Sequence, residues 1–140
     1  MKKVNRILLV DDNKTTAYII QREINKLNIA NQVQVAENGS KALEYLQSED
    51  QNGIDSPDLI LLDHKMPVMD GFEFFQAYNK LQLKGNKPVM IMLTTSMHQQ
   101  ILTEAKNYGL AEVMSKPLTQ DKLKSIWEKY FSSEEEPKAN

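Results

Sequence analysis

Cysteine is absent from this 140-residue sequence, and its absence excludes disulfide bonds, cysteine nucleophiles and thiolate metal sites. An excess of charge of either sign is also missing, because 17 lysine and arginine residues face 19 aspartate and glutamate residues. Binding to a nucleic-acid backbone needs clustered basic side chains, so we expect no nucleic-acid partner.

Long hydrophobic runs are missing as well. The first ten residues, MKKVNRILLV, place two lysines before an apolar stretch of four residues that stops at Asp11. This stretch is too short for a signal sequence or a membrane span, so we expect a cytoplasmic protein that does not enter a membrane. Hydrophobic residues make up 41% of the chain and charged residues 26%, as in globular proteins, and the length fits one domain.

Five short apolar runs recur along the chain, each too short for a helix and rich in the residues of buried strands. They are Ile7 to Val10, Val33 to Ala36, Leu59 to Leu62, Val89 to Leu93 and Ala111 to Met114. Segments with helical spacing lie between them; Ala17, Ile20 and Ile24, for example, fall on one helix face. This alternation predicts a parallel α/β sheet with helices on both faces.

Several short signals predict where helices begin and end. Asp70 with Glu73 three residues later forms a capping-box pattern, and Thr119 is placed to cap the last helix. Gly109 is placed to end the fourth helix in a left-handed conformation. The polar stretch 47–57, QSEDQNGIDSP, is interpreted as a loop before the third strand.

Charged and polar side chains follow the predicted strands where the strands end. Asp11 and Asp12 come after the first strand, and Asp63 comes after the third. Thr94 ends the fourth strand, and Lys116 follows the fifth. Because ligands of open α/β sheets bind outside the carboxyl ends of the strands, we expect these side chains to meet at one edge.

The residue types at this edge favour phosphoryl chemistry. Three carboxylates in one cleft repel one another unless a cation neutralises them, and ligands that are all oxygen suit Mg²⁺. A lysine and a threonine hydroxyl could then bind phosphoryl oxygens. A carboxylate can itself be the nucleophile, and Asp63 is the best candidate because it stands alone after its strand.

These motifs resemble the receiver domain of two-component response regulators, the CheY-like family. The matching segments are ILLVDDN at the first strand, LILLDHKMPVMDG around Asp63, PVMIMLTTS through Thr94 and VMSKP around Lys116. The resemblance covers about residues 4–131 and implies a receiver domain over that range, followed by a charged tail at 132–140. It also implies a doubly wound (βα)5 fold with a five-stranded parallel sheet in the order 2-1-3-4-5.

The resemblance implies a role for each acid. Asp63 would accept a phosphoryl group from a histidine of a sensor kinase. Asp12 and Asp63 would bind Mg²⁺ together with the backbone carbonyl of Lys65, while Asp11 would help to position the ion. The protein would then catalyse only its own phosphorylation and dephosphorylation, so we do not expect an enzyme acting on other substrates.

The resemblance also implies a switch and its partners. Thr94 and Lys116 would bond the phosphoryl oxygens, and the Lys116–Pro117 peptide would be cis. Movement of Thr94 would repack the face made by the fourth helix, fifth strand and fifth helix. The implied partners are a sensor histidine kinase or phosphotransfer protein, a downstream protein on that face, and a second copy in a homodimer. Because the fold is complete near residue 131, we expect no attached output domain.

Four positions depart from the family pattern or bear on the lifetime of the phosphoryl group. Val113 stands where receivers commonly have tyrosine or phenylalanine, which puts the usual aromatic switch in question. Thr95 replaces a usually very small residue, and Lys65 and Ser96 occupy positions that tune dephosphorylation. We predict a long-lived phosphorylated state.

Two further residue types are interpreted as structural. Strand alternation points His64 away from the neighbouring acid, so we expect it to be an exposed or packed residue without a part in the site. Four methionines are expected in the core. They are Met90, Met92, Met97 and Met114.

Other functions are alternatives to this one. A phosphotransfer-relay intermediate or a phosphate sink would use the same chemistry. A Mg²⁺-dependent phosphohydrolase of the haloacid dehalogenase type would carry D-x-D with its nucleophile after the first strand, whereas Asp11 and Asp12 are adjacent. A nucleotide or flavin carrier would need a glycine- or serine-rich phosphate loop there, but the sequence is DDNKT.

Overall fold

A computed structural model describes residues 1–131, in which five strands alternate with five helices; the charged tail predicted at 132–140 lies outside the described residues. The strands are β1 (Val4–Val10), β2 (Ala30–Ala36), β3 (Leu59–Asp63), β4 (Val89–Thr94) and β5 (Glu112–Ser115). The helices are α1 (Lys14–Leu27), α2 (Gly39–Gln51), α3 (Gly71–Leu81), α4 (Gln99–Tyr108) and α5 (Gln120–Tyr130).

The five strands form one parallel sheet in the order β2-β1-β3-β4-β5, which confirms the predicted topology. The central strand β3 is buried along its whole length. The register places Asp63 beside Leu93 and Thr94 beside Ser115, so β3, β4 and β5 end at the same level. Their carboxyl ends therefore form one edge at which polar side chains can meet.

Each face of the sheet carries its own hydrophobic core. One core includes Leu9 of β1 and Trp127 of α5, and the other includes Leu8 of β1 and Phe74 of α3. Neighbouring strand residues point to opposite faces, so a strand covered on both sides must be apolar throughout. Each fully buried leucine or isoleucine contributes about 1.5–3 kcal/mol, and this burial holds the loops that carry the site.

The predicted helix ends are confirmed. Asp70 accepts a hydrogen bond from the Glu73 amide at 2.9 Å, and the Glu73 carboxylate accepts one from the Asp70 amide at 2.9 Å. Thr119 caps α5, and Gly109 ends α4 with φ of 86°. Within residues 1–131, no helix has both the length and the hydropathy needed to cross a membrane.

The loop predicted at 47–57 is wrong in its first half, because α2 continues to Gln51. Its polar residues hold distant parts of the chain: the Arg6 guanidinium donates to Glu49 at 2.8 Å, and the Lys84 amide donates to Asp50 at 3.0 Å. Polar composition therefore reflects tertiary hydrogen bonds here. The core assignment of Met97 is also wrong, because it follows β4 and its side chain is 44% exposed.

Candidate functional site

The carboxyl edge of the sheet brings three acids together. Carboxylate oxygens of Asp11, Asp12 and Asp63 lie within 4.8 Å of one another. Asp63 ends β3, and the two others directly follow β1. Asp11 and Asp63 are buried, whereas Asp12 is exposed. The cluster is therefore enclosed by the sheet on one side and open to solvent through Asp12.

Lys116 reaches the acids from the end of β5. Its Nζ lies 2.8 Å from Oδ1 of Asp63 and 3.5 Å from Oδ2 of Asp11. Its own amide donates to the carbonyl of Thr94 at 2.9 Å, which fixes the start of this segment against β4. The Lys116–Pro117 peptide is cis, as the resemblance implied. Lys116, Asp11 and Asp63 therefore form one largely buried group of ion pairs.

The electrostatics of this cluster reflect burial and crowding. Burial raises the pKa of Asp63, and so do the charges of Asp11 and Asp12, against the opposing hydrogen bond from Lys116. Burial lowers the pKa of Lys116, but its hydrogen bond to Asp63 and the charge of Asp11 outweigh this effect and raise the pKa overall. The acids exceed the single lysine, so the site favours an additional positive charge.

The residues present fit a hard divalent cation. The Asn13 amide donates to Oδ1 of Asp11 at 2.8 Å, but Oδ2 of Asp11 is buried and has no hydrogen-bond partner among the described residues. Its distance of 3.5 Å from Lys116 is that of an ion pair rather than a hydrogen bond. An unsatisfied buried carboxylate oxygen beside two further carboxylates matches the ligands of Mg²⁺. Lys65, whose carbonyl was the fourth predicted ligand, is exposed in the loop after β3.

Glycine at the start of α3 allows this helix to approach the end of β3. The Gly71 amide donates to the His64 carbonyl at 2.8 Å. A Cβ on Gly71 would lie 2.9 Å from the Asp63 carbonyl oxygen and 3.2 Å from Cα of His64. Because real Cβ atoms essentially never approach another atom to 2.9 Å, a glycine is required at position 71.

Thr94 is buried at the end of β4, but its hydroxyl is engaged with His64. The Nδ1 atom of His64 lies 3.0 Å from Oγ1 of Thr94, and the Ser96 amide donates to the same Oγ1 at 3.1 Å. Among the hydrogen bonds of the described residues, Thr94 makes none with the carboxylate of Asp63 or the amine of Lys116. The predicted site thus divides into a cluster of acids and lysine and a separate histidine–threonine pair.

The sequence predicted that His64 is an exposed or packed residue without a part in the site, and this interpretation misses its hydrogen bond with Thr94. Strand alternation does turn it away from Asp63, and its side chain is only 4% exposed. The register pairs Asp63 with Leu93, so His64 and Thr94 are the next neighbours across β3 and β4. Residues paired across parallel strands face the same side of the sheet. The register that brings this pair together is a property of the folded sheet.

The surroundings of His64 are aromatic. Its ring meets Phe72 edge-on with centroids 5.3 Å apart, and Phe72 lies 5.1 Å from Tyr108 of α4. Burial lowers the pKa of His64, as does the charge of Lys65, and both favour the neutral ring. Val113 is partly buried on β5, and the ring that contacts the threonine is that of His64.

The chain is similar to known signalling proteins over most of its length. Residues 7–128 match the model of a family described as the response regulator receiver domain. The chain is 31% identical over 118 residues to a probable methanogenesis regulatory protein, FilR2, of Methanothrix harundinacea, covering 84% of this chain and 76% of that protein. It is 26% identical to a probable chemotaxis protein CheY of Rhizobium etli, covering 91% of this chain and 93% of the relative.

Solved structures agree with these similarities. The chemotaxis protein CheY4 of Vibrio cholerae superposes with a TM-score of 0.76 at 25% identity, covering 91% of this chain and 99% of that one. Other relatives are longer, and this chain spans 30% to 50% of the length of four of them. The similarity covers only the matching part of those longer proteins and not their activities as a whole.

Proposed function

The chain belongs to the response regulator receiver domain family, a family of phosphorelay signalling domains, and on that premise we propose that Asp63 is its phosphoacceptor. Receiver domains are signalling domains rather than classical enzymes. We further propose that the receiver unit extends over residues 4–131 and acts in the cytoplasm, where ATP-dependent sensor kinases form phosphohistidine.

The single observation that carries this proposal is the position of the Asp63 carboxylate. It is buried at a strand end, bonded to Lys116 at 2.8 Å, and flanked by two further acids. A carboxylate that accepts an anionic group needs nearby positive charge. Asp63 has the Lys116 amine at 2.8 Å, whereas Asp11 lies 3.5 Å from that amine and has its other oxygen bonded to the Asn13 amide.

The proposed reaction transfers a phosphoryl group from the imidazole of a donor histidine to the carboxylate of Asp63. A carboxylate oxygen of Asp63 attacks the phosphorus of a phosphohistidine, and a P–O bond forms while the P–N bond breaks. The imidazole nitrogen of the donor keeps the electron pair and takes up a proton. Hydrolysis later reverses the modification, because water attacks the phosphorus and releases inorganic phosphate and the Asp63 carboxylate.

The chain's own side chains would stabilise the transferred group. The amine of Lys116 already lies against Asp63 and can move from carboxylate to phosphoryl oxygen within the same cleft. The hydroxyl of Thr94 would donate to a second phosphoryl oxygen after leaving its present partners. Donors aimed at the developing negative charge stabilise it; Lys116 already lies beside that position, whereas Thr94 must first change its partners.

The proposed metal is Mg²⁺, held by Asp11, Asp12, Asp63 and the backbone carbonyl of Lys65. The chemistry it would supply is neutralisation of the negative charge that the carboxylates and the phosphoryl oxygens bring together. The unsatisfied Oδ2 of Asp11 supports this assignment.

The proposed partners are proteins. A sensor histidine kinase or a phosphotransfer protein would supply the phosphoryl group. A downstream protein, or a second copy of the chain, would bind the face made by α4, β5 and α5. Tyr130 of α5 donates to Glu112 of β5 at 2.8 Å, and Lys129 of α5 donates to Glu112 at 3.1 Å, so β5 and α5 present a joined surface.

The test is the intact mass after incubation with Mg²⁺ and acetyl phosphate. We expect one added phosphoryl group, lost when EDTA is present and absent from Asp63→Asn. Asp121→Asn is the matched control, because Asp121 is an exposed acid in the first turn of α5, away from the site. The proposal is contradicted if the unsubstituted chain gains no phosphoryl group. It is also contradicted if Asp63→Asn still gains one.

A further inference from the structure

The hydroxyl of Thr94 has little remaining capacity for hydrogen bonds. A threonine hydroxyl has one donor hydrogen and two acceptor lone pairs. The Ser96 amide occupies one lone pair at 3.1 Å, and His64 Nδ1 makes a second hydrogen bond at 3.0 Å whose direction is set by the ring tautomer. The Ser96 carbonyl lies 3.5 Å from the hydroxyl and is a weak acceptor. A phosphoryl oxygen on Asp63 would therefore compete with His64 and with this weak acceptor for the hydroxyl.

The ring of His64 is held firmly enough to act as a fixed partner. Its backbone amide donates to the Leu93 carbonyl at 2.9 Å, and its carbonyl accepts from the Gly71 amide at 2.8 Å. The ring packs against Phe72 and its side chain is only 4% exposed. A side chain fixed at its backbone and at its ring does not follow a neighbouring hydroxyl that moves away.

We propose that His64 is a positioning residue that holds the Thr94 hydroxyl away from Asp63 in the unphosphorylated state, so that phosphorylation requires this hydrogen bond to break. The inference rests on the proposed function, because it concerns the competition between His64 and a phosphoryl group on Asp63. Because this hydrogen bond exists only before phosphorylation, its net free energy stabilises the unphosphorylated state alone. It therefore sets how readily the site accepts the group.

The expected change in affinity follows from the net free energy of one hydrogen bond. Net contributions of single intramolecular hydrogen bonds correspond to about a two- to twelvefold change in an equilibrium constant. Removal of the bond should strengthen binding of a phosphoryl mimic by that factor. The mimic used is beryllofluoride with Mg²⁺, and the affinity is measured by titration.

Two substitutions separate the hydrogen bond from the packing of the ring. His64→Phe keeps an aromatic ring beside Phe72 but removes the polar nitrogen, so beryllofluoride should bind about two to twelve times more tightly. His64→Asn places an amide near the Nδ1 position and should return the affinity toward that of the original chain. Urea unfolding of each variant checks that the fold is retained.

Thr94→Val provides the readout that a purely structural role would not affect. Valine has the shape of threonine without its hydroxyl, so His64→Phe should give no further gain in affinity in the Thr94→Val background. In the unsubstituted chain, the ¹⁵N shifts of His64 should move on phosphorylation toward those in unphosphorylated Thr94→Val. Both effects depend on the bond between these two side chains.

The outcomes distinguish this proposal from the one on which it rests. If acetyl phosphate adds no phosphoryl group and beryllofluoride does not bind, the proposed function fails and this inference fails with it. If the group adds but His64→Phe leaves the affinity unchanged, or gives the same gain with Thr94→Val, the role of His64 alone is overturned. Unchanged ¹⁵N shifts of His64 in the phosphorylated chain overturn it as well.

Discussion

Lys116→Met removes the amine that pairs with two of the three clustered acids, Asp11 and Asp63, and we predict a large loss of stability. Breaking a buried ion pair by removing one partner costs about 3–5 kcal/mol, because the other charge stays buried without compensation. The side chain of Lys116 is 18% exposed and the cluster opens to solvent through Asp12, so water screens part of the effect. We therefore expect the free energy of unfolding to fall by about 2–3 kcal/mol without Mg²⁺.

The assay is urea unfolding at pH 7 in EDTA. With a slope of about 1–3 kcal/mol per molar urea, the midpoint should fall by about 0.7–3 M. Lys129→Met is the control: Lys129 also pairs with an acid, Glu112, but is 60% exposed, and such pairs are worth about 0–1 kcal/mol. The double variant Lys116→Met/Asp63→Asn should recover about 1 kcal/mol or more, because it removes the charge left unpaired.

The reasoning is refuted if Lys116→Met and Lys129→Met lose equal stability. It is also refuted if the double variant is destabilised by the sum of its two single substitutions. Either result would mean that Lys116 does not compensate the charge of the buried acids.

Three further predictions concern the metal, the backbone beside the acceptor and the lifetime of the phosphoryl group. Mg²⁺ at about 100 times its Kd should raise the free energy of unfolding by about 2.7 kcal/mol. Asp12→Asn should weaken this stabilisation by Mg²⁺ and change the stability in EDTA little. If Mg²⁺ stabilises Asp12→Asn as much as the unsubstituted chain, Asp12 is not a ligand of the metal. Gly71→Ala should lower the free energy of unfolding by about 1–3 kcal/mol and slow phosphorylation by acetyl phosphate, because its Cβ would lie 2.9 Å from the carbonyl oxygen of Asp63. A free energy of unfolding equal to that of the unsubstituted chain would contradict the packing argument. Thr95→Ala should shorten the lifetime of the phosphoryl group in a mass time course, because a smaller side chain admits water; an equal lifetime would show that Thr95 does not shield it.

The five parallel strands could be predicted because each of them is an apolar run, whereas the strand order was implied by the family resemblance. Strands covered on both faces have no polar alternation, so Leu59 to Leu62 indicates a buried parallel strand without further information. The polar residues at the strand ends then follow from the rule on carboxyl edges. The helix signals at Asp70, Thr119 and Gly109 depend only on neighbouring residues, and all three were correct.

The remaining features depend on contacts between distant residues. The end of α2 could not be predicted, because Glu49 and Asp50 resemble loop residues until Arg6 and Lys84 are placed beside them. The His64–Thr94 bond needs the register of β3 against β4, which no local pattern contains. Tertiary hydrogen bonds override local composition in both cases.

The central claim is that Asp63 itself accepts the phosphoryl group. Borohydride reduction of the chain treated with acetyl phosphate converts an aspartyl phosphate to homoserine, and mass spectrometry of the peptides then locates the reduced residue. We predict homoserine at position 63, with Asp11 and Asp12 unchanged. Homoserine at position 11 or 12, or a phosphoryl group on His64 with Asp63 unmodified, would contradict the account.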